Sequence, residues 1–344
     1  MTDQESAFRL GFLTHVEGGA DLRESYQNAV ELFIAADELG FDSGWVAHHH
    51  FGTDPAAGLS SPWVFLSHVA AKTRHIHIGT AVTLAPLYDP VTLAHDIGSL
   101  DILTDGRVEF GVGTGFDADA YSALGRDFER RKELTTEHFA RTRAALRGEP
   151  LNAEGLRIKE VSPALADGRS WHGVFSEAGA AHVAAEGANL LLNRATYGYE
   201  EPTDVVQKGW AERYLADWSQ PHRPRIGLSR LIFAAQDRKT ALDQIGDGLV
   251  NSLRGFADRG RSLGPVTLDN ALFRFHAHYG HPDEVTEQLQ REQVLPIATD
   301  LLSQFNPGKP SLDASLKALE LLATEVAPNL GWKPRHARAV AAAA

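Results

Sequence analysis

Short apolar runs alternate along the chain with longer stretches whose apolar positions recur every three or four residues. "FRLGFLTHV" (8–16) is the first short run, and it ends in the polar "EGGAD". In "SYQNAVELFIAADELG", Val30, Phe33, Ile34 and Leu39 fall near a 3.6-residue period and Gly40 follows, so the pattern predicts a helix stopped by glycine. "FDSGWVAHHH" reads as a second strand and its exit. Ser61 and Pro62 open the helix "PWVFLSHVAAKT", with proline in its first turn. "HIHIGTAVTLA" (75–85) is a buried β run, and "DPVTLAHDIGSLDILT" is a helix with Asp89 at the cap and Pro90 behind it. "GRVEFGVGTGF" runs from a strand into a glycine loop.

The second half repeats this alternation with more interruption. Strands are predicted near 8–14, 44–48, 76–84, 107–113, 173–176, 189–194, 226–235 and 296–302. Repeated βα alternation argues for a parallel sheet with helical crossovers. Eight such units predict an α/β fold of one domain, a (β/α)8 TIM barrel over residues 1–335, with its active site at the C-terminal ends of the strands. A doubly wound open sheet is the alternative. The irregular stretches 116–132, 147–171 and 255–281 read as insertions after strands, and the tail 336–344 is expected to fray.

Composition narrows the partners. The 344 residues carry a formal charge of −12, from 45 acidic against 33 basic side chains. Such a surface repels nucleic acid and anionic membranes, so a small molecule is the expected partner. The chain has no cysteine, which excludes disulfides, thiolate nucleophiles and zinc–thiolate sites. The N-terminus shows no signal-like run and no apolar stretch approaches the ~18 residues of a membrane helix, so a cytoplasmic protein is expected.

A barrel makes each polar residue at a strand C-terminus a candidate: His15 and Glu17; His48, His49 and His50; Thr80 and Thr83; Gly113, Thr114 and Gly115; Ser176 and Glu177; Asn193 and Arg194; Ser229 and Arg230; Gln304 and Asn306. "GVGTG" can cradle a phosphate or let a flat ring approach the backbone, or it can be a plain tight turn. It is not a dinucleotide fingerprint, because Phe116 and Asp117 break the pattern. Ser176 stands as an N-cap before Gly179 and Ala180, a start that suits a phosphate or is simply a cap. In an extended segment His48 and His50 share one direction and His49 takes the other. Three adjacent histidines rarely chelate one metal, which leaves acid–base or substrate-contact chemistry, or a solvated strand end. Arg230 is a charge inside an apolar strand, so it either reaches the mouth or pairs with a carboxylate.

The combination of "AADELGFDSGWVAHHHF", "IGTAVTLAPLYDPVTLAHDIGSLDILTDGRVEFGVGTGF" and "FSEAGAAHVAAEGAN" resembles the bacterial luciferase-like flavin monooxygenases over nearly the whole chain. The resemblance implies a barrel that binds reduced FMN at its mouth and forms a flavin hydroperoxide with oxygen. That species oxygenates a small organic substrate, with a separate NAD(P)H:flavin reductase as partner, no metal, and a homodimeric assembly. It places His49 at the active-site histidine and His48 where the family has glutamate, so that local carboxylate is missing; His48 and His50 are read as substrate contacts. It puts a non-proline cis peptide at Ala81–Val82 beneath the flavin, and Ser176 and Gly179 at the phosphate. Gly113 stands where luciferase has a reactive cysteine, and Thr114 replaces the phosphate-holding arginine, a cation that Arg194 or Arg230 would have to supply. A deazaflavin-dependent hydride-transfer enzyme, a non-catalytic flavin-binding barrel and a metal-dependent hydrolase are the alternatives.

Overall fold

The computed structural model describes residues 6–52 and 56–334; the expected frayed tail, 336–344, lies outside the described residues. Among the described residues ten parallel strands form one sheet: β1 (Arg9–Thr14), β2 (Ser43–Val46), β3 (His77–Thr80), β4 (Thr83–Leu84), β5 (Val108–Gly113), β6 (Ser170–Val174), β7 (Asn189–Leu192), β8 (Ile226–Ala234), β9 (Ala277–Gly280) and β10 (Asp300–Gln304). The ring runs β1-β2-β3-β5-β6-β7-β8-β10, and β10 pairs with both β8 and β1, so the sheet closes. It is the eight-stranded (β/α)8 barrel, and the open-sheet alternative is excluded. β4 continues the line of β3 after a break at Ala81–Val82.

Local chemistry sets the element ends. Asp21 caps the first helix (Leu22–Leu39) by accepting from the Glu24 amide at 2.8 Å, and Gly40 ends it at φ 83°. Asp89 accepts from the Val91 and Thr92 amides at 3.0 and 2.8 Å, and Pro90 fixes the first turn behind it. Outward strand residues such as Val108, Phe110 and Val112 pack into the shell between sheet and helices.

The interior is layered. At the N-terminal end Glu109, fully buried, meets Arg9 at 3.3 Å and Arg225 at 3.2 Å, and Arg225 reaches Asp300 at 2.7 Å. Trp171 donates its indole N–H to Glu109 at 2.7 Å. The two arginines hold the Glu109 carboxyl far below its ordinary range against the opposing pull of burial. Above this charged layer lie Leu13, Trp45, Trp171, Leu191 and Leu302, with Ala81 and Val82 packed against them from the mouth side.

Three details differ from the sequence expectation. The fifth ring strand starts at Ser170 rather than 173, and the eighth starts at Asp300 rather than 296. Pro296 sits in a 3-10 turn, and strand pairing begins only where Asp300 meets Arg9 and Arg225. Of the irregular stretches, 116–132 follows β5, whereas 147–171 leads from a helix into β6, and 255–281 contains β9, which pairs the upper half of β8 from Leu231 to Ala234.

Candidate active site at the mouth of the barrel

Residues just beyond the strands build the mouth. His15 follows β1 and His49 follows β2, adjacent strands in register from Gly11↔Ser43 to Thr14↔Val46. Their rings lie face to face, centroids 5.5 Å apart at 26°, with His49 Nε2 3.3 Å from His15 Nδ1. Burial is the main force holding both imidazoles below their usual pKa, and the Arg194 guanidinium adds to it for each. Asp117, beyond β5, pulls His49 the other way. The pair is therefore neutral at neutral pH, and one proton bridges two ring nitrogens.

Arg194 follows β7 and donates through Nη1 to Gln304 Oε1 at 3.2 Å. Gln304, at the end of β10, donates in turn to the Ser229 hydroxyl of β8. Arg194 Nε is buried without a hydrogen-bond partner. Nearby, Asn306 donates to Glu17 Oε1 at 2.7 Å. His15, Arg194, Ser229 and Gln304, all strand-end residues in the sequence, thus meet in one network with His49.

The other two histidines turn away from this pair, as the alternation of an extended segment requires. His48 and His50 approach to 4.4 Å between ring centroids. His48 is part of the wall: its Nδ1 accepts from the Leu84 amide at 3.1 Å, and it is only 3% exposed. Burial pushes its pKa down to about 3, with the two neighbouring imidazoles adding to the effect. His50 is also held below its usual value by burial, against Asp117. Nε2 of both rings is buried and unpartnered.

The Ala81–Val82 peptide is cis. Thr80 and Thr83 flank it and bond to each other through their hydroxyls at 3.0 Å, and Thr80 also donates to the Gly111 carbonyl at 2.9 Å. A Cβ on Gly113 would stand 2.5 Å from Val82 Cγ2, and one on Gly173 would stand 3.2 Å from Val82 Cγ1. The two glycines therefore seat Val82 between them. The room that Gly113 leaves is filled by Val82. Thr114 lies on the rim, its carbonyl accepting from the Tyr121 hydroxyl at 2.5 Å.

On the far side of the rim, Ser176 caps the helix Glu177–Glu186 and its Oγ accepts from the Gly179 amide at 3.1 Å. Ser176, Glu177 and Ala178 are exposed, so this helix start is open. Phe51, Phe116 and Phe175 stand exposed on the loops after β2, β5 and β6. Ser176 and the His15–His49 pair share the same end of the ring, with β3, β4 and β5 between their strands.

Arg230 does not reach the mouth. It is fully buried and holds Glu292 by two bonds of 2.8 and 3.0 Å, and its Nη1 donates to Gln207 Oε1 at 2.9 Å. Of the two arginines considered for a ligand's phosphate, only Arg194 lies at the rim. Sequence reasoning missed Asp117 as the carboxylate facing the histidines, and it missed His276 and His278, which gather on Glu292.

The residues present suit a planar, phosphorylated cofactor. The floor is apolar, the helix start at Ser176 is open, and three buried nitrogens at the mouth lack partners. A family model described as luciferase-like monooxygenase matches residues 8–299. The fold is similar to that of the monooxygenase RslO1 from Streptomyces bottropensis (TM-score 0.78, 21% identity, 94% of this chain and 100% of that one). It is similar to the oxygenating constituent of 3,6-diketocamphane monooxygenase from Pseudomonas putida in complex with FMN (TM-score 0.75, 18% identity, 94% and 99%). It is also similar to the coenzyme F420-dependent tetrahydromethanopterin reductase from Methanopyrus kandleri (TM-score 0.70, 18% identity, 94% and 99%). At these identities the likeness is one of fold. The chain spans 51% and 38% of the length of two curated relatives that it matches.

Proposed function

Because the chain belongs to the luciferase-like monooxygenase family, we propose that it is an FMN-dependent monooxygenase acting on a small organic substrate. A separate NAD(P)H:flavin reductase delivers the reduced cofactor. The observation that carries this reading is the neutral His15–His49 pair beside Arg194, set over the apolar floor of Ala81 and Val82.

Reduced FMN, when bound, supplies the electrons that activate oxygen. The chain's residues do the rest. Ala81, Val82 and the layer of Trp45, Trp171 and Leu302 beneath them give an apolar face against which a flat ring would rest shielded from water. The Ser176 hydroxyl and the open first turn behind it offer donors and the positive end of a helix to a phosphate. Arg194, just beyond the neighbouring strand β7, would add a cationic donor through its unpartnered Nε. His49, neutral and backed by His15, accepts a proton at the reacting centre or returns one to it, while its partner ring holds the tautomer. His50 presents a free ring nitrogen to the substrate, and His48 fixes the wall through Leu84.

The test is oxygen consumption by the purified protein mixed with photoreduced FMN, together with equilibrium binding of FMN and of the deazaflavin F420. Micromolar FMN binding and FMN-dependent oxygen uptake are expected. Preference for F420 with no oxygen uptake would transfer the site to hydride-transfer chemistry. FMN binding with neither activity would make the barrel a flavin carrier.

A further inference from the structure

We propose that His276, His278 and Glu292 form a binding site for one divalent transition-metal ion, away from the barrel mouth. His276 Nε2 lies 2.9 Å and His278 Nε2 3.7 Å from Glu292 Oε2, and the three ligand atoms all fall within 4.8 Å of one another. With metal–ligand bonds of ~2.1 Å, the atoms of a tetrahedral site stand ~3.4 Å apart. Small side-chain rotations therefore bring the three onto a single ion. Asp204 Oδ1, 3.9 Å from His276 Nε2, offers a second carboxylate.

The local sequence explains the convergence. His278 lies within β9 and His276 in the turn just before it, at φ 49°, and that turn brings their rings to centroids 5.0 Å apart at 88°. Glu292 follows the helix Pro282–Gln290, and the next two amides hold the carboxylates: Gln293 N donates to Asp204 at 3.3 Å and Val294 N to Glu292 at 3.3 Å. Arg230 grips Glu292 from behind with two bonds. Outer contacts of this kind aim ligands at a metal.

An ion pair between Arg230 and Glu292 accounts for part of the cluster but not for His278. That ring is 6% exposed, and its Nε2 stands 3.7 Å from Glu292 Oε2, too far for a hydrogen bond. A buried nitrogen without a hydrogen bond is costly, and an ion seated between the ring and the carboxylate would satisfy both. The side chains line a cavity of about 560 Å³ together with Tyr279 and Gln288, which gives an ion a route in. Two imidazoles with a carboxylate and no thiolate suit zinc, cobalt or nickel rather than calcium or magnesium.

The test uses the full chain after chelator treatment. Cobalt(II) is titrated in and followed by its visible d–d bands, and zinc is then added to displace it. One ion per chain is expected, with a zinc-dependent rise in Tm. His278→Gln and His276→Gln should each lower affinity by more than the ~10–100-fold that loss of an outer-shell partner costs, and both should abolish the rise in Tm. His68→Ala, on an exposed helix face, should change neither. Circular dichroism of the metal-free variants checks that they fold, and either glutamine variant suffices if the other does not. Absence of binding, or binding that survives both substitutions as an adventitious ion on other histidines, overturns the site.

Discussion

At the scale of single residues, the mouth works by keeping imidazoles neutral. His15 and His49 share one hydrogen bond beside Arg194, so removing one ring disturbs the protonation of the other. His49→Ala is expected to leave FMN affinity within about twofold and to cut turnover by the ~10²–10⁴ that acid–base catalysis contributes; stopped-flow single turnover checks it, and unchanged kinetics remove His49 from the reaction. Ser176→Ala is expected to weaken FMN binding by ~1 kcal/mol through one lost hydrogen bond. The same change removes the bond to the Gly179 amide, so a loss of stability of ~1 kcal/mol should accompany it. A stability loss with wild-type affinity would move the phosphate elsewhere. His48 makes a pH prediction. Its folded pKa of about 3 lies below the unfolded 6.5, so the unfolded state binds the extra proton between those values. Stability is then full above pH 6.5 and declines as the pH falls toward 3. Urea midpoints measured from pH 7 to pH 4 should show this decline, and His48→Asn should flatten it.

At the scale of elements, glycine decides how closely β5 approaches the floor. Gly111 could not carry a side chain without striking the Thr80 carbonyl, and Gly113 gives its place to Val82. Gly113→Ala is expected to cost ~1–3 kcal/mol by overpacking, and Val82→Ala in the same chain should recover most of it; simple additivity in this double-mutant cycle would show that the two do not touch. Most of the ring was legible in sequence because its strands are short apolar runs closed by caps such as Asp89 and Gly40. Two strand ends shifted because local pattern does not show which polar residue is buried: Asp300 looks like a terminus yet opens β10 through Arg9 and Arg225. β9 went unread because "HAHYG" offers few apolar positions, yet its alternating histidines were the available signal for the cluster on Glu292. The His48/His50 against His49 split followed from strand periodicity alone. The partnership of His15 with His49 did not, since it depends on which strands become neighbours. The charge inside β8 could be read as needing a partner, but Glu292 lies 62 residues on and only the fold brings it to Arg230.

At the scale of the molecule, the two ends of the ring have separate duties. The N-terminal end is bound by Arg9, Glu109, Arg225 and Asp300, and the mouth gathers the His15–His49 pair, Arg194 and the unpartnered Nε2 atoms of His48 and His50. In barrels the N-terminal face serves stability and the C-terminal face chemistry. Glu109→Ala should therefore cost ~3 kcal/mol, because it removes the buried carboxylate between two part-buried arginines and leaves them only Asp300, while FMN affinity of the folded fraction stays unchanged; denaturant unfolding and flavin titration measure the two separately. A fall in affinity without a fall in stability would refute the division.

The floor also brings the two ends of the described chain together: the Ala7 amide donates to the Gly331 carbonyl at 3.1 Å, and the Trp332 indole donates to Asp42, which also takes the Leu10 amide. Where a polypeptide returns to its own beginning, the order in which its segments are written is nearly a matter of convention. A permuted gene that splices residue 334 to residue 6 through a brief spacer and opens instead in the exposed turn around Gly155 should yield the same cylinder with the same chemistry at its opposite pole.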